Sequence, residues 1–337
     1  MQNHNIGSDT GYGNSTLNKN PFFEWFYFDI HCADSMDIVF TFHTKPFMSH
    51  FNVSIFDIFI YRNNQRLVHK FLVIPQDQLH IAPNGDRMQF RSDATLFFER
   101  KPEHTKLHIH ADWLELNLLL ENKHSRFEPL DVHFPSQNKA LQSFRWLLFM
   151  PQAQASGRLR IKDGKGQWLD INISGRGYHD ANQGALNLKK ELKSWLWMKI
   201  YQKETLWIAG KIVPRNDEVK NILVRVGDRQ TDFTTDAHIE MNESRLQFEC
   251  AWGKWDFELK ENYRLDDLRF LVPVWPAALA PLEKVREILA AFTLERKALK
   301  PLREWLTNGK YRRYRRLAKD ADGHEVEIFG EEMLLND

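Results

Sequence analysis

Eleven residues near the middle of the chain, Ser174-Gly-Arg-Gly-Tyr-His-Asp-Ala-Asn-Gln-Gly184, concentrate the groups able to do chemistry. Arg176, Tyr178, His179, Asp180 and Asn182 bring together a cation, a phenol, an imidazole, a carboxyl and an amide. At a strand period of two, Arg176, Tyr178, Asp180 and Asn182 share one face and His179 takes the other, unless a bulge at Gly177 resets the count. Gly175 and Gly177 permit such a bulge or a close approach of two backbones. Ionisable groups set between aromatic strands are costly unless paired. Two readings stand at this point. One is a structural brace, such as an Arg176–Asp180 pair; the other is a site in which Asp180 and Tyr178 act on a ligand.

Other familiar constellations are missing. The sequence has no glycine-rich phosphate loop, no Gly-x-Ser-x-Gly and no His-Glu-x-x-His. His108 and His110 share a strand face and offer two of the ligands a metal site needs, but the neighbouring Lys106 favours a solvated face. Cys32 and Cys250 allow one bridge and no disulfide framework. No metal or cofactor is expected.

The elements that must position the motif are strands. Ile38-Val-Phe-Thr-Phe, Asn52-Val-Ser-Ile-Phe-Asp-Ile-Phe-Ile-Tyr and Leu67-Val-His-Lys-Phe-Leu-Val-Ile are short, aromatic and β-branched. Turn signals at Arg62-Asn-Asn-Gln, Pro83-Asn-Gly-Asp, Asp163-Gly-Lys-Gly and Gly227-Asp separate the runs. Many close-spaced strands without interleaved helices predict an antiparallel sandwich or barrel. In Lys106-Leu-His-Ile-His-Ala-Asp-Trp, Leu107 and Ile109 should face inward and His108 and His110 outward. Ala278, Leu282, Val285, Leu289 and Phe292 recur at helical spacing, which predicts an amphipathic helix. With 337 residues, about two domains are expected. The 43 aromatic residues, 13% of the chain, mostly fill core.

Several stretches resemble the carotenoid 1,2-hydratase (hydroxyneurosporene synthase) and AttH-like family. Asn20-Pro-Phe-Phe-Glu-Trp-Phe-Tyr-Phe is similar to that family's Glu-Trp-Trp-Tyr-Phe opening, and Gly175-Arg-Gly-Tyr-His-Asp-Ala-Asn-Gln-Gly to its Gly-x-Gly-Tyr-His-Asp-His-Asn-Trp-Gly. Trp195-Leu-Trp197 sits where the family has Trp-x-Trp, and Lys310-Tyr311, Asp322-Gly323 and Gly330-Glu331 look like its closing segment. The resemblance spans roughly residues 20–334. It implies a mainly β fold of two tandem lipocalin-like antiparallel barrels: an arm at 1–20, a first barrel at 21–184, and a second at 185–337 with a helical insertion near 277–308.

The resemblance also implies cofactor-free chemistry on lipophilic polyenes, in the manner of related cyclases and Diels–Alderases. Asp180 is carried over as the acid that protonates an alkene, with Tyr178 and His179 beside it. Arg176, Asn182, Trp25, Tyr27, Trp146, Trp195 and Trp197 are the candidate substrate contacts. The chain departs from the pattern: Ala181 replaces the family's second His and Gln183 its Trp. The expected activity is therefore hydratase, cyclase or isomerase. The alternatives are a pericyclase, with Tyr178 donating to a substrate carbonyl, and a carrier of a hydrophobic ligand.

Charge is unevenly spread. Lys284 to Lys319 holds twelve cations and three anions, a net of +9 in a chain whose total is +1. Such a segment either docks on an anionic membrane surface or packs on the acidic remainder of its own chain. Nucleic-acid binding, whose signal would be Tyr311 and Tyr314 among the arginines, is not expected. No basic start leads into an apolar run, and no stretch is long and apolar enough to span a bilayer as a helix, so a cytoplasmic protein, peripheral at most, is expected.

Overall fold

The computed structural model describes residues 23–335, apart from position 33 and the stretches 47–51, 83–85, 92–93, 124–129, 134–136, 138, 228–230 and 271–308, within the last of which Val285, Ile288 and Leu289 are described. The expected arm at 1–20 and most of the expected insertion at 277–308 lie outside the described residues. Val285, Ile288 and Leu289 are helical and exposed. The chain divides into two compact units, the first ending at Leu186 and the main body of the second starting at Asn187.

The first unit holds β1 (Phe23–Cys32), β2 (Met36–Lys45), β3 (Val53–Arg62), β4 (Gln65–Pro75), β5 (His80–Ile81) and β6 (Arg87–Arg91). It continues with β7 (Thr95–Arg100), β8 (His104–Ala111), β9 (Leu114–Asn122), β10 (Leu130–His133), β11 (Arg145–Lys162) and β12 (Trp168–Gly184). They form one antiparallel sheet in the order β4-β3-β2-β1-β12-β11-β9-β8-β7-β6-β5, with β10 alongside β11. The sheet curls around a core that takes side chains from across its width, among them Phe28, Phe40, Phe56, Leu107, Leu118, Leu159 and Ile173. As the alternation predicts, Leu107 and Ile109 point into this core while His108 and His110 are exposed. His108 Nδ1 lies 2.6 Å from Asn117 Oδ1.

The second unit holds β13 (Leu192–Gln202), β14 (Thr205–Pro214), β15 (Lys220–Val226), β16 (Thr231–Thr234) and β17 (Ala237–Met241). Its remaining strands are β18 (Arg245–Cys250), β19 (Gly253–Phe270), β20 (Gly309–Lys319) and β21 (Glu325–Leu335). They pair in the order β16-β15-β14-β13-β21-β20-β19-β18-β17 around Met198, Ile200, Trp207, Phe248, Phe257 and Ile328. Two curled, near-closed antiparallel sheets, with little helix among the described residues, are what the strand-rich sequence called for.

The turns follow their sequence signals. Asn63 and Asn64 join β3 to β4 with φ of 50° and 62°, the left-handed pair that a two-residue hairpin turn requires and that Asn tolerates. Asp163 Oδ1 accepts from the Lys165 and Gln167 backbone N–H groups and so closes the β11–β12 turn. Cys32 and Cys250 are free thiols. Asp320, Asp322 and His324 cluster at the β20–β21 turn, where side-chain donation from Gln202 and hydrogen bonds from His324 hold the Asp320 carboxyl down at about 2.

Four cations of the described half of the basic run are paired within their own sheet. Lys310 meets Asp267 on β19 at 3.3 Å, and Arg312 meets Glu332 on β21 at 3.0 Å. Arg313 meets Glu331 at 2.8 Å and Asp266 at 3.8 Å, and Arg315 meets Glu327 at 3.1 Å. Cations of β20 thus face carboxylates on both neighbouring strands, with Arg312 and Arg313 directly opposite theirs in the ladder. The 284–308 half lies outside the described residues apart from the three helical positions.

Candidate active site

Strands β1, β12 and β11 position the central motif. β12 pairs with β1 without interruption, Tyr27 opposite Asp180, Asp29 opposite Tyr178, Trp25 opposite Asn182 and His31 opposite Arg176. No bulge falls at Gly177, so Arg176, Tyr178, Asp180 and Asn182 do share a face, the one turned away from the core. Gly175 serves close approach instead: a Cβ there would lie 2.1 Å from the His31 carbonyl oxygen. The irregularity sits on the other flank. β11 shifts register between Leu148 and Met150 and again between Met150 and Ala153, opposite Asp180 to Gly177. Pro151, which has no N–H for the ladder, falls within that bulged stretch. Before the bulge, Trp146 lies opposite Asn182 and Leu148 opposite Asp180, on the same face.

Three side chains converge on the Asp180 carboxyl. Trp146 Nε1–H donates to Oδ2 at 2.7 Å, the Tyr178 hydroxyl donates to the same oxygen at 2.6 Å, and the Asn182 amide lies 3.4 Å from Oδ1. Asp180 is 3% exposed and Tyr178 fully buried. The Tyr27 ring meets that of Tyr178 edge to face at 6.1 Å, and Trp25 stacks on Phe23 at 4.9 Å. The Tyr178 hydroxyl proton thus points at Asp180. Arg176 is exposed and sits opposite His31, four positions from Asp180.

His179 occupies the opposite face, as strand parity dictates. Its ring stacks on Phe28 at 3.9 Å within a cluster of Phe26, Phe98 and Phe149, and Nδ1 lies 3.0 Å from the Tyr27 carbonyl oxygen. Burial, with a smaller push from the Arg100 cation, holds this imidazole well below its ordinary value and therefore neutral. From that position it ties β12 to β1 beneath Tyr27. Trp195 and Trp197 belong to the second unit, on β13. There Trp197, Tyr201 and Phe329 surround the fully buried Lys199 ammonium at 5.4–5.8 Å.

Two further groups share the Asp180 face. His43, on β2, is buried beside Trp25, and burial lowers its pKa to about 4. On β3 and β4, Asp57 and His69 form a half-buried pair, Nε2 to Oδ1 at 2.9 Å. These were not singled out in the sequence, where they read as polar members of alternating strands.

Comparison with known proteins agrees with this architecture. No family model matches. The chain is similar to hydroxyneurosporene dehydrogenase of Chlorobaculum tepidum, 28% identical over 130 residues, covering 36% of this chain and 34% of that protein. The match thus spans about a third of the curated relative's length. Among solved structures, CghA in complex with Sch210972 superposes with a TM-score of 0.64 at 12% identity, covering 94% of this chain and 89% of that one. The AttH-like protein of Nitrosomonas europaea gives 0.53 at 12% identity over 93% and 92%. The chain has the lipocalin-like AttH fold. Kievitone hydratase of Nectria haematococca shares it, with a TM-score of 0.53 at 10% identity over 93% of this chain and 88% of that one. The resemblance carried by the Glu24-Trp25 opening and the Tyr178-His179-Asp180 motif is borne out. Among the described residues, no helix is long and apolar enough to cross a membrane.

Proposed function

We propose that the chain is a cofactor-free hydratase, cyclase or isomerase of a lipophilic polyene or terpenoid intermediate, with Asp180 as its general acid. The observation that carries this reading is the Asp180 carboxyl, buried on an aromatic sheet face with two neutral donors on one oxygen. The acid role requires Asp180 to meet the alkene in its protonated form. With Oδ2 as the carbonyl oxygen accepting from Trp146 and Tyr178, the acid proton sits on Oδ1. There the Asn182 amide, whose O and N are interchangeable by a flip, can accept it. When the proton moves to an alkene carbon, negative charge develops on the carboxyl. The two fixed donors then strengthen, which stabilises the transition state more than the ground state.

The balance is simple. The Asp180 proton forms a new C–H bond and leaves a tertiary carbocation facing aromatic rings such as Tyr27 and Trp25. Water adds and returns a proton to the carboxylate in hydration. In isomerisation an adjacent C–H gives up its proton to the carboxylate instead; in cyclisation an internal alkene adds first, and the cation it leaves then gives up an adjacent proton in the same way. Exclusion of water selects between these ends. A hydroxyneurosporene dehydrogenase, a hydratase and a small-molecule complex among the similar proteins support a small hydrophobic substrate.

The test is incubation in deuterated water with farnesol, squalene and lycopene, each ending in trisubstituted alkenes. An acid mechanism places one deuterium in a hydrated or isomeric product, and Asp180→Asn abolishes it. A product free of deuterium would point to a pericyclic reaction. Binding without turnover, unchanged in Asp180→Asn, would make the protein a carrier. Membrane association through 284–319 is a separate proposal, favoured by exposed helical Val285, Ile288 and Leu289. Sedimentation with anionic vesicles at low and high salt tests it, and no binding at either would sink it.

A further inference from the structure

The sheet face that carries Asp180 also carries a second polar centre. Asp180 on β12, Tyr27 on β1, Thr41 on β2, Asp57 on β3 and Phe71 on β4 are consecutive register partners, one row across five strands. Three strand spacings put Asp57 about 14 Å along the sheet from Asp180, the length of a chain of about ten to twelve carbons. Exposure rises along the row, from 3% at Asp180 and 5% at Tyr27 to 23% for the Asp57 side chain and 43% at Phe71. Leu67 and Val73, on the same face of β4, are exposed too.

At the open end of this row, His69 is held rigidly. Its ring stacks on Phe59 at 4.1 Å and 9°, and Nε2 meets Asp57 Oδ1 at 2.9 Å. That contact leaves Nδ1 and the second carboxylate oxygen as the polar atoms a ligand meets on passing the apolar β4 strip. A half-buried carboxylate and a fixed imidazole suit one small group above others, a hydroxyl or enol, which donates to the carboxylate in a charge-assisted bond.

We infer that the Asp57–His69 pair is a head-group site. It holds the hydroxyl of an elongated terpenoid alcohol whose chain lies along the row of Tyr27 and Thr41 and whose far alkene reaches Asp180. This rests on the reading of Asp180 as the acid and names the substrate class for it. Asp57 and His69 position the substrate and take no part in the proton transfer. A site that recognises a hydroxyl rejects the analogue lacking it, because its own polar groups are then left unpaired.

The experiment compares farnesol with farnesyl methyl ether, which has the same chain and no donor, by calorimetry or by quenching of tryptophan fluorescence. The full chain should prefer farnesol by about tenfold. Asp57→Asn and His69→Gln should each bring that preference below about twofold while affinity for the ether stays unchanged. Asp180→Asn should keep the preference in full. Equal affinity of the unaltered protein for the two probes would overturn the head-group site and leave Asp180 chemistry standing. So would a preference that survives in either folded variant. Failure to bind either probe would overturn both. Because the decisive ratio is first read on the unaltered protein, loss of folding in one variant does not protect the proposal.

Discussion

Trp146 Nε1 and the Tyr178 hydroxyl donate to the same oxygen of Asp180, at 2.7 and 2.6 Å, from two different strands. The carboxyl is thereby fixed in plane and rotation, with Oδ2 occupied twice and Oδ1 left as the edge that meets Asn182.

Trp146→Phe keeps the ring and deletes one donor. Deuterium incorporation into farnesol should fall about a hundredfold to a thousandfold, as losing one preorganised donor does elsewhere. Tyr178→Phe should do the same. Since both act on one oxygen, the double variant should cost less than the product of the two. Multiplicative effects would mean that the donors act on separate groups.

Gly175→Ala tests the backbone approach rather than the chemistry. Its Cβ would meet the His31 carbonyl, which cannot move without opening the β1–β12 ladder. A loss of about 3 kcal/mol in denaturant unfolding is expected. A neutral result would contradict the register beside the motif.

Acid should weaken the first unit before its carboxylates titrate. His43 and His179 both have folded-state pKa values lowered chiefly by burial, His43 to about 4. The unfolded chain binds more protons below about 6.5, so their contribution is complete above that pH. It is lost as pH falls toward 4, by up to about 3 kcal/mol for His43. Melting temperatures at pH 7.5 and 4.5 measure this, and His43→Phe should flatten the difference. An identical pH dependence in that variant would rule His43 out as the cause.

In the second unit, Arg313 is buried between Glu331 and Asp266. Arg313→Met should cost about 3–5 kcal/mol, because two carboxylates lose their counter-charge. Adding Glu331→Leu should recover part of it. Chemical denaturation of the three proteins decides, and a harmless single variant would refute the buried network.

Much of this was legible in the residues. Asn63-Asn64 and Asp163 announced their turns by type, and the period of two placed Tyr178 and Asp180 together and His179 apart. Trp146 was a candidate, but its bond to Asp180 was not readable. It crosses 34 positions and depends on the bulged register of β11, which no local pattern encodes. Asp57 and His69 stayed hidden because a polar residue in an alternating strand looks like a solvated face. Only the rows across β1, β2 and β3 reveal that their face is Asp180's. The pairing of β20 with acids on both sides also needed the register, although the sum of charges allowed it.

Both sheets join their two halves in the same way, the first strand of each unit against its last: β1 with β12 and β13 with β21. Neither unit can complete its ladder until its final strand has left the ribosome. The long sequence separation of these pairings makes folding slow and nascent edges sticky. Each half must therefore be synthesised whole before it is protected. Its most vulnerable moment is the interval in which β1 or β13 waits, unpaired on one side, for a partner still to be made.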